Sequence, residues 1–171
     1  MKKTLSFALV FVLTVFCFAG CSGKGGSVRN IEGDLPGLVG QIYENADSSV
    51  HLPYTMEHAL TEEGTEFVNN VEYFIGAKGI PFEEGIVSEA AIGATPYSLV
   101  LLRMKPDADV EAAKRQIKEG VDLAKWICAN ATDIVVDNIG DLVLMVMWND
   151  EEGQSPGLGQ AVHQSFLALG D

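Results

Sequence analysis

The sequence predicts an α+β two-layer sandwich. A roughly four-stranded antiparallel sheet in β-β-α-β-β-α order carries the helices, with N-terminal helices ahead of it. Three observations point there. Two apolar runs, residues 97–104 and 142–148, have the length and composition of buried strands. Each is joined by a short link to a second β-type segment, and short links between strands favour antiparallel hairpins. Each pair is then followed by apolar residues at helical spacing. The two halves echo each other in order but not in residue identity.

The chain opens on Met1-Lys2-Lys3, then runs almost unbroken and apolar from Leu5 to Phe18. That run is shorter than the roughly 20 residues a spanning helix needs. A basic start, a short apolar run and then small residues are the marks of a secretory signal. Phe18-Ala19-Gly20-Cys21 resembles the lipobox of bacterial lipoprotein precursors, with Phe18 where Leu is favoured. The resemblance implies a signal peptide over residues 1–20 and a diacylglyceryl group on Cys21. Residues 21–33 then form a lipidated, flexible tether that begins Cys-Ser-Gly-Lys-Gly-Gly-Ser. Two acyl chains anchor stably where one does so only marginally. The expected location is the extracytoplasmic face of the cell membrane, lipid-anchored.

Residues 34–171 are expected to form one domain. Asp34 is a good helix N-cap, and Pro36 fits a first turn. Leu35, Leu38, Val39, Ile42 and Tyr43 mark a helix over about 35–46. Residues 47–53 are turn-like, and 54–79 are ambiguous until Phe67, Val71, Phe74 and Ile75 fit one face of a short helix ending near Gly76 or Gly79. Residues 84–92 carry partial β alternation, Ala94-Thr95-Pro96 is a turn, and 97–104 is a strand buried on both faces or central. Pro106 and Asp107 end that strand and open a helix with Val110, Ala113, Ile117 and Val121 inward. Residues 133–136 form a short strand, Asp137-Asn138-Ile139-Gly140 a turn, and 142–148 an apolar strand. An acidic loop over 149–159 leads to a last helix marked by Ala161, Val162, Phe166, Leu167 and Leu169.

Composition excludes some functions. The precursor has 11 basic and 24 acidic residues; losing Lys2 and Lys3 takes the basic count to 9 and the formal charge to −15. Such a surface repels nucleic acid and anionic headgroups. Of three cysteines, Cys17 leaves with the signal and Cys21 carries lipid, so the domain has no internal disulfide. Cys128, in Trp126-Ile127-Cys128, is expected to be a buried small hydrophobe. Trp126 is expected to lock a helix end onto the sheet.

Catalytic signals are thin. His51, His58 and His163 are far apart and form no zinc motif, so they read as ordinary surface or partly buried histidines. Asp133, Asp137, Asn138 and Asp141 have oxygen ligands suited to Ca²⁺, but EF-hand spacing is absent and turn chemistry accounts for them. No phosphate loop or nucleophile elbow is present. No cofactor is expected.

Lys125-Trp126-Ile127-Cys128, with residues 134–136 and 142–147 after it, resembles a segment of small uncharacterised lipoproteins of Gram-positive gut-type bacteria. There a Lys/Arg-Trp-Ile-Cys stretch lies between a helix and a closing hairpin. The likeness covers roughly residues 84–169 and implies no known activity. The expected function is a membrane-anchored binding or interaction module for an envelope protein, peptide or glycan. The alternatives are an envelope enzyme of hydrolase type with an unrecognised active site, and an assembly accessory for another lipoprotein.

Overall fold

The computed structural model describes residues 30–47, 49, 52–151 and 155–171. The expected signal segment 1–20, Cys21, most of the expected tether and His51 lie outside the described residues. Among those described, no helix is long and apolar enough to cross a membrane.

Helix α1 spans Leu35–Asn45 and starts where Asp34 accepts the Gly37 N–H at 2.7 Å. It buries Leu35, Leu38, Val39 and Ile42. Strand β1, Thr55–Ala59, comes next, then α2, Val71–Ile75, which ends on left-handed Gly76. Strands β2, Phe82–Ala90, and β3, Ser98–Met104, form the first expected hairpin. Helix α3, Val110–Gly120, is capped by Asp109. Strands β4, Asp133–Ile139, and β5, Leu142–Trp148, form the second hairpin, and α4, Leu158–Ala168, closes the chain.

The chain is an α+β fold with one open antiparallel sheet and helices packed on it, as its sequence predicts. The sheet has five strands rather than about four, in the order β1-β2-β3-β5-β4. The additional strand is β1, whose Thr-Met-Glu-His-Ala sequence has four exposed residues. It is a strand because its backbone pairs with β2, Thr55 opposite Ala90 and Ala59 opposite Ile86. No pattern of side-chain burial announces it.

The layering also differs. Alternate residues of β3 and β5 feed two cores, one on each face. Leu99, Leu101, Leu144, Val146 and Trp148 pack with α1 and α4. Val100, Leu102, Val143, Met145 and Met147 pack with α2 and α3. The sheet is therefore covered on both sides, giving three layers in place of two. The reason lies in β3 and β5, which pair at the centre, Leu101 opposite Leu144. Strands apolar on both faces need cover on both. Each fully buried side chain of this size contributes about 1.5–3 kcal/mol.

A third difference lies in the second hairpin. Residues 137–139, expected in the turn, extend β4, and Ile139 pairs with Leu142. Only Gly140 and Asp141 remain as the loop, and Gly140 supplies its positive φ of 56°.

The N-terminal segment is pinned at one end of β3. Arg103 donates to the carbonyls of Ile31 (3.0 Å) and Gly33 (2.8 Å) and faces Asp141 at 3.6 Å. The chain arriving from Cys21 thus joins the domain at the Arg103 end of the sheet. The Ser98 end, about 17 Å away at 3.3 Å per residue, carries the features below.

Candidate functional site

After α3 the chain forms a closed loop, Leu123–Ala131, with the Ala131 N–H bonded to the Leu123 carbonyl at 2.9 Å. Asp122 accepts the Ala124 N–H (2.8 Å), and Asn149 donates to the Asn130 carbonyl (3.0 Å). These bonds hold the loop against the Ser98 end of the sheet. They drive Lys125 inward, leaving its side chain 3% exposed.

The Lys125 ammonium lies 2.6 Å from Glu89 Oε1 on β2 and 3.3 Å from Ser98 Oγ on β3. Three rings surround it, with centroids at 4.4 Å (Phe74), 4.8 Å (Trp126) and 5.4 Å (Tyr73). Burial lowers the lysine's pKa below its ordinary value, against the opposing charges of Glu89 and Asp122. The Tyr73 hydroxyl is pushed the other way, by burial first and then by the carboxylates of Glu89, Asp122 and Glu66.

Above this group opens a concavity of about 330 Å³ lined by Phe67, Tyr73, Glu89, Ala90, Gly93, Lys125, Trp126, Ile127 and Cys128. Its rim is apolar and wet. Ile127 is fully exposed, and Phe67 is more than 60% exposed. Phe67 stacks edge-on against Tyr73 at 4.7 Å. It is also the one non-glycine residue with positive φ (65°) among those described. A bulky residue in the left-handed region costs on the order of 1–3 kcal/mol. Phe67 was expected on the helical face with Val71; it lies instead in the preceding loop, held by Thr65, whose carbonyl accepts from Val68, Asn69 and Asn70.

Two expectations about the loop change. Cys128 is exposed, not buried. Trp-Ile-Cys sits on a loop tip rather than inside a helix or strand, so its apolar character gains no cover. Trp126 is half-buried. It packs against the α2–α3 core, as a locking residue would, and also presents its ring to the concavity.

The histidines do not converge. His58 is exposed on β1, and His163 on α4 contacts Asp137 of β4 at 2.9 Å. Lys114 of α3 reaches the same carboxylate at 3.5 Å and Asn138 Oδ1 at 2.8 Å. Asp137 therefore ties helices from both faces across the sheet edge. Of the four residues with oxygen ligands, Asp141 faces Arg103, Asp137 faces His163, and Asp133 accepts from Thr132 (2.7 Å). Among the described residues, no three His, Cys, Asp or Glu side chains are placed to hold a metal ion.

Two other depressions are larger but simpler. One, of about 580 Å³, is lined by Asp34, Glu57, Glu83 and Glu84 beside β1; the other, of about 650 Å³, lies between α1 and α4. The carboxylates of the first are all on exposed residues, and neither depression contains a buried charge. The Lys125 concavity is the one where a buried charged pair, aromatic walls and a strained residue meet. Phe67, Tyr73, Glu89 and Lys125 were not singled out from the sequence as a site. The available signal was Lys125 itself, a charge set in the apolar stretch around Trp126. Comparison with known proteins finds no matching family model, no matching curated protein and no matching solved structure.

Proposed function

We propose that this chain is a bacterial surface lipoprotein, held by a diacylglyceryl group on Cys21 at the extracytoplasmic face of the cell membrane, whose domain binds an envelope partner at the Lys125 concavity. The observation that carries the reading is Phe67. Its backbone is strained and its ring stays in water beside the exposed Ile127. Both features work against folding, and a partner that covers the rim would offset the exposure of the ring. Exposed apolar clusters of this kind mark interaction sites. The position agrees with a tethered module, because the tether joins the Arg103 end and the concavity lies at the Ser98 end.

The test uses the full chain in cells. A photo-crosslinking residue at position 127 is expected to capture a discrete partner, whereas one at Lys105, near the tether, is expected not to. Equal or absent capture at both positions would sink the binding-site reading. Cys21→Ala tests the anchor separately. The variant is expected to leave the membrane fraction or accumulate uncleaved, and a processed, membrane-bound variant would refute lipidation.

A second reading, an envelope enzyme, is favoured by one observation. Lys125 is a desolvated amine beside a carboxylate in a cavity wall, the setting in which lysines become bases or nucleophiles. Assay of envelope substrates with wild type and Lys125→Arg would reveal it as turnover lost in the variant.

A further inference from the structure

We propose that the concavity takes an extended peptide segment in which one aromatic or aliphatic side chain is flanked by lysine or arginine. The proposal rests on the binding-site reading above and specifies its ligand.

Three observations select this chemistry. The first is the lining. Phe67, Tyr73, Trp126 and Ile127 make the walls apolar, and about 330 Å³ is at the small end of ligand sites. One or two side chains fit that space, not a large cofactor. The second is the charge around it. The carboxylates of Glu66, Glu89 and Asp122 all lie close enough to raise the Tyr73 pKa. The cation of the wall, Lys125, is buried and already paired with Glu89. Carboxylates thus stand around apolar walls, and the complementary ligand is apolar with positive flanks.

The third observation favours a peptide over a sugar. Glu89 stands opposite Met56 on β1. β1 is an edge strand and, among the described residues, pairs with β2 alone. Its outer edge, one strand beyond Glu89, offers the main-chain donors and acceptors that extended peptides require. Other occupants fit less well. A second copy of this acidic chain would bring like charge to the rim.

The experiment uses the full chain in nanodiscs of zwitterionic lipid, titrated calorimetrically with three synthetic octapeptides. One carries Phe flanked by Lys and Arg, one replaces the basic residues with Glu, and one replaces Phe with Ser. The basic Phe peptide is expected to bind at least about tenfold more tightly than either control, a difference of roughly 1.4 kcal/mol. Raising salt is expected to weaken it. The double variant Glu66→Gln/Asp122→Asn is expected to lose roughly threefold, with an accompanying loss of salt dependence. Ile127→Ser is expected to lose about tenfold; this side chain is fully exposed, so folding is not at stake.

Equal binding of the basic and acidic peptides, both weakened by Ile127→Ser, would overturn the ligand class and leave the site standing. Binding indifferent to Ile127→Ser and to Phe67→Ser would overturn both. No binding by any peptide would overturn the ligand class, and the crosslink from position 127 then decides the site independently.

Discussion

Lys125 Nζ lies 2.6 Å from Glu89 Oε1, on a lysine whose side chain is 3% exposed. The pair joins the loop after α3 to strand β2. A buried charge without its partner is costly, whereas replacing both charges together is often close to neutral. We expect Lys125→Met to destabilise the protein by about 2 kcal/mol. That is below the 3–5 kcal/mol of fully buried pairs, because Glu89 keeps some contact with water (20% exposed). Lys125→Met/Glu89→Gln should recover most of the loss. Urea unfolding of the two variants and wild type measures the coupling, and an additive double variant would show that the pair is not coupled.

Tyr97 predicts the alkaline limb. Its hydroxyl donates to Tyr43 at 3.2 Å, and Tyr43 donates to Ser88 at 2.8 Å. Burial raises the Tyr97 pKa well above 10.0, helped by the charge and the hydrogen bond of Tyr43. A folded-state pKa above the unfolded one contributes stability that is complete below pH 10 and lost as pH rises toward the folded value. Wild type should therefore lose stability above pH 10. Tyr97→Phe should lose it less steeply, while costing about 1 kcal/mol at neutral pH. Parallel alkaline curves in thermal melts would contradict this.

Asp137 predicts the acid limb. Burial opposes its ionisation, but the His163 bond, the Asn138 N–H and the Lys114 charge outweigh burial and hold the carboxyl below 3.8. A depressed carboxyl contributes stability above its unfolded pKa and loses it as pH falls through the folded value. Asp137→Asn should be less stable than wild type at pH 6, and the two should converge below pH 3.8. Denaturant midpoints across that range test the convergence. Since Asp137 ties α3 and α4 across one edge strand, amide exchange in both helices should quicken together in the variant.

Gly159 predicts a steric limit. A Cβ placed there would lie 2.0 Å from Cε3 of Trp148, a ring 1% exposed. The α4 backbone rests directly on the indole, which is itself held by Asp150 at 2.7 Å from Nε1. Gly159→Ala would have to displace the helix or the ring. We expect a loss of about 3 kcal/mol, the upper range for overpacking, measured by urea unfolding. The exposed Gly93→Ala, with open space around its Cβ, serves as the control near zero.

Much of the fold was legible because its signals are local. Asp34 and Pro36 announced α1, and the apolar runs at 97–104 and 142–148 announced the central pair. Strand β1 was not legible because an exposed edge strand is defined by backbone pairing, which leaves no trace in side-chain polarity. The burial of Cys128 was misjudged for the converse reason. Apolar residues beside Trp126 suggest core, but a loop tip places Ile127 and Cys128 outward regardless of their polarity.

The sequence by itself determined the α+β class, the two hairpins, the start of α1 and the acidic surface. All of these follow from periodicity, capping chemistry and charge, which act between near neighbours. Tertiary structure alone decided which helices cover each face of the sheet and that Asp137 meets His163 and Lys114. It alone brought Glu89, Phe67, Tyr73 and Trp126 around Lys125. Those residues come from β2, two loops and α2, and only the packing of the elements sets their distances. A lysine's chemistry depends on what surrounds it, and its surroundings are made by folding.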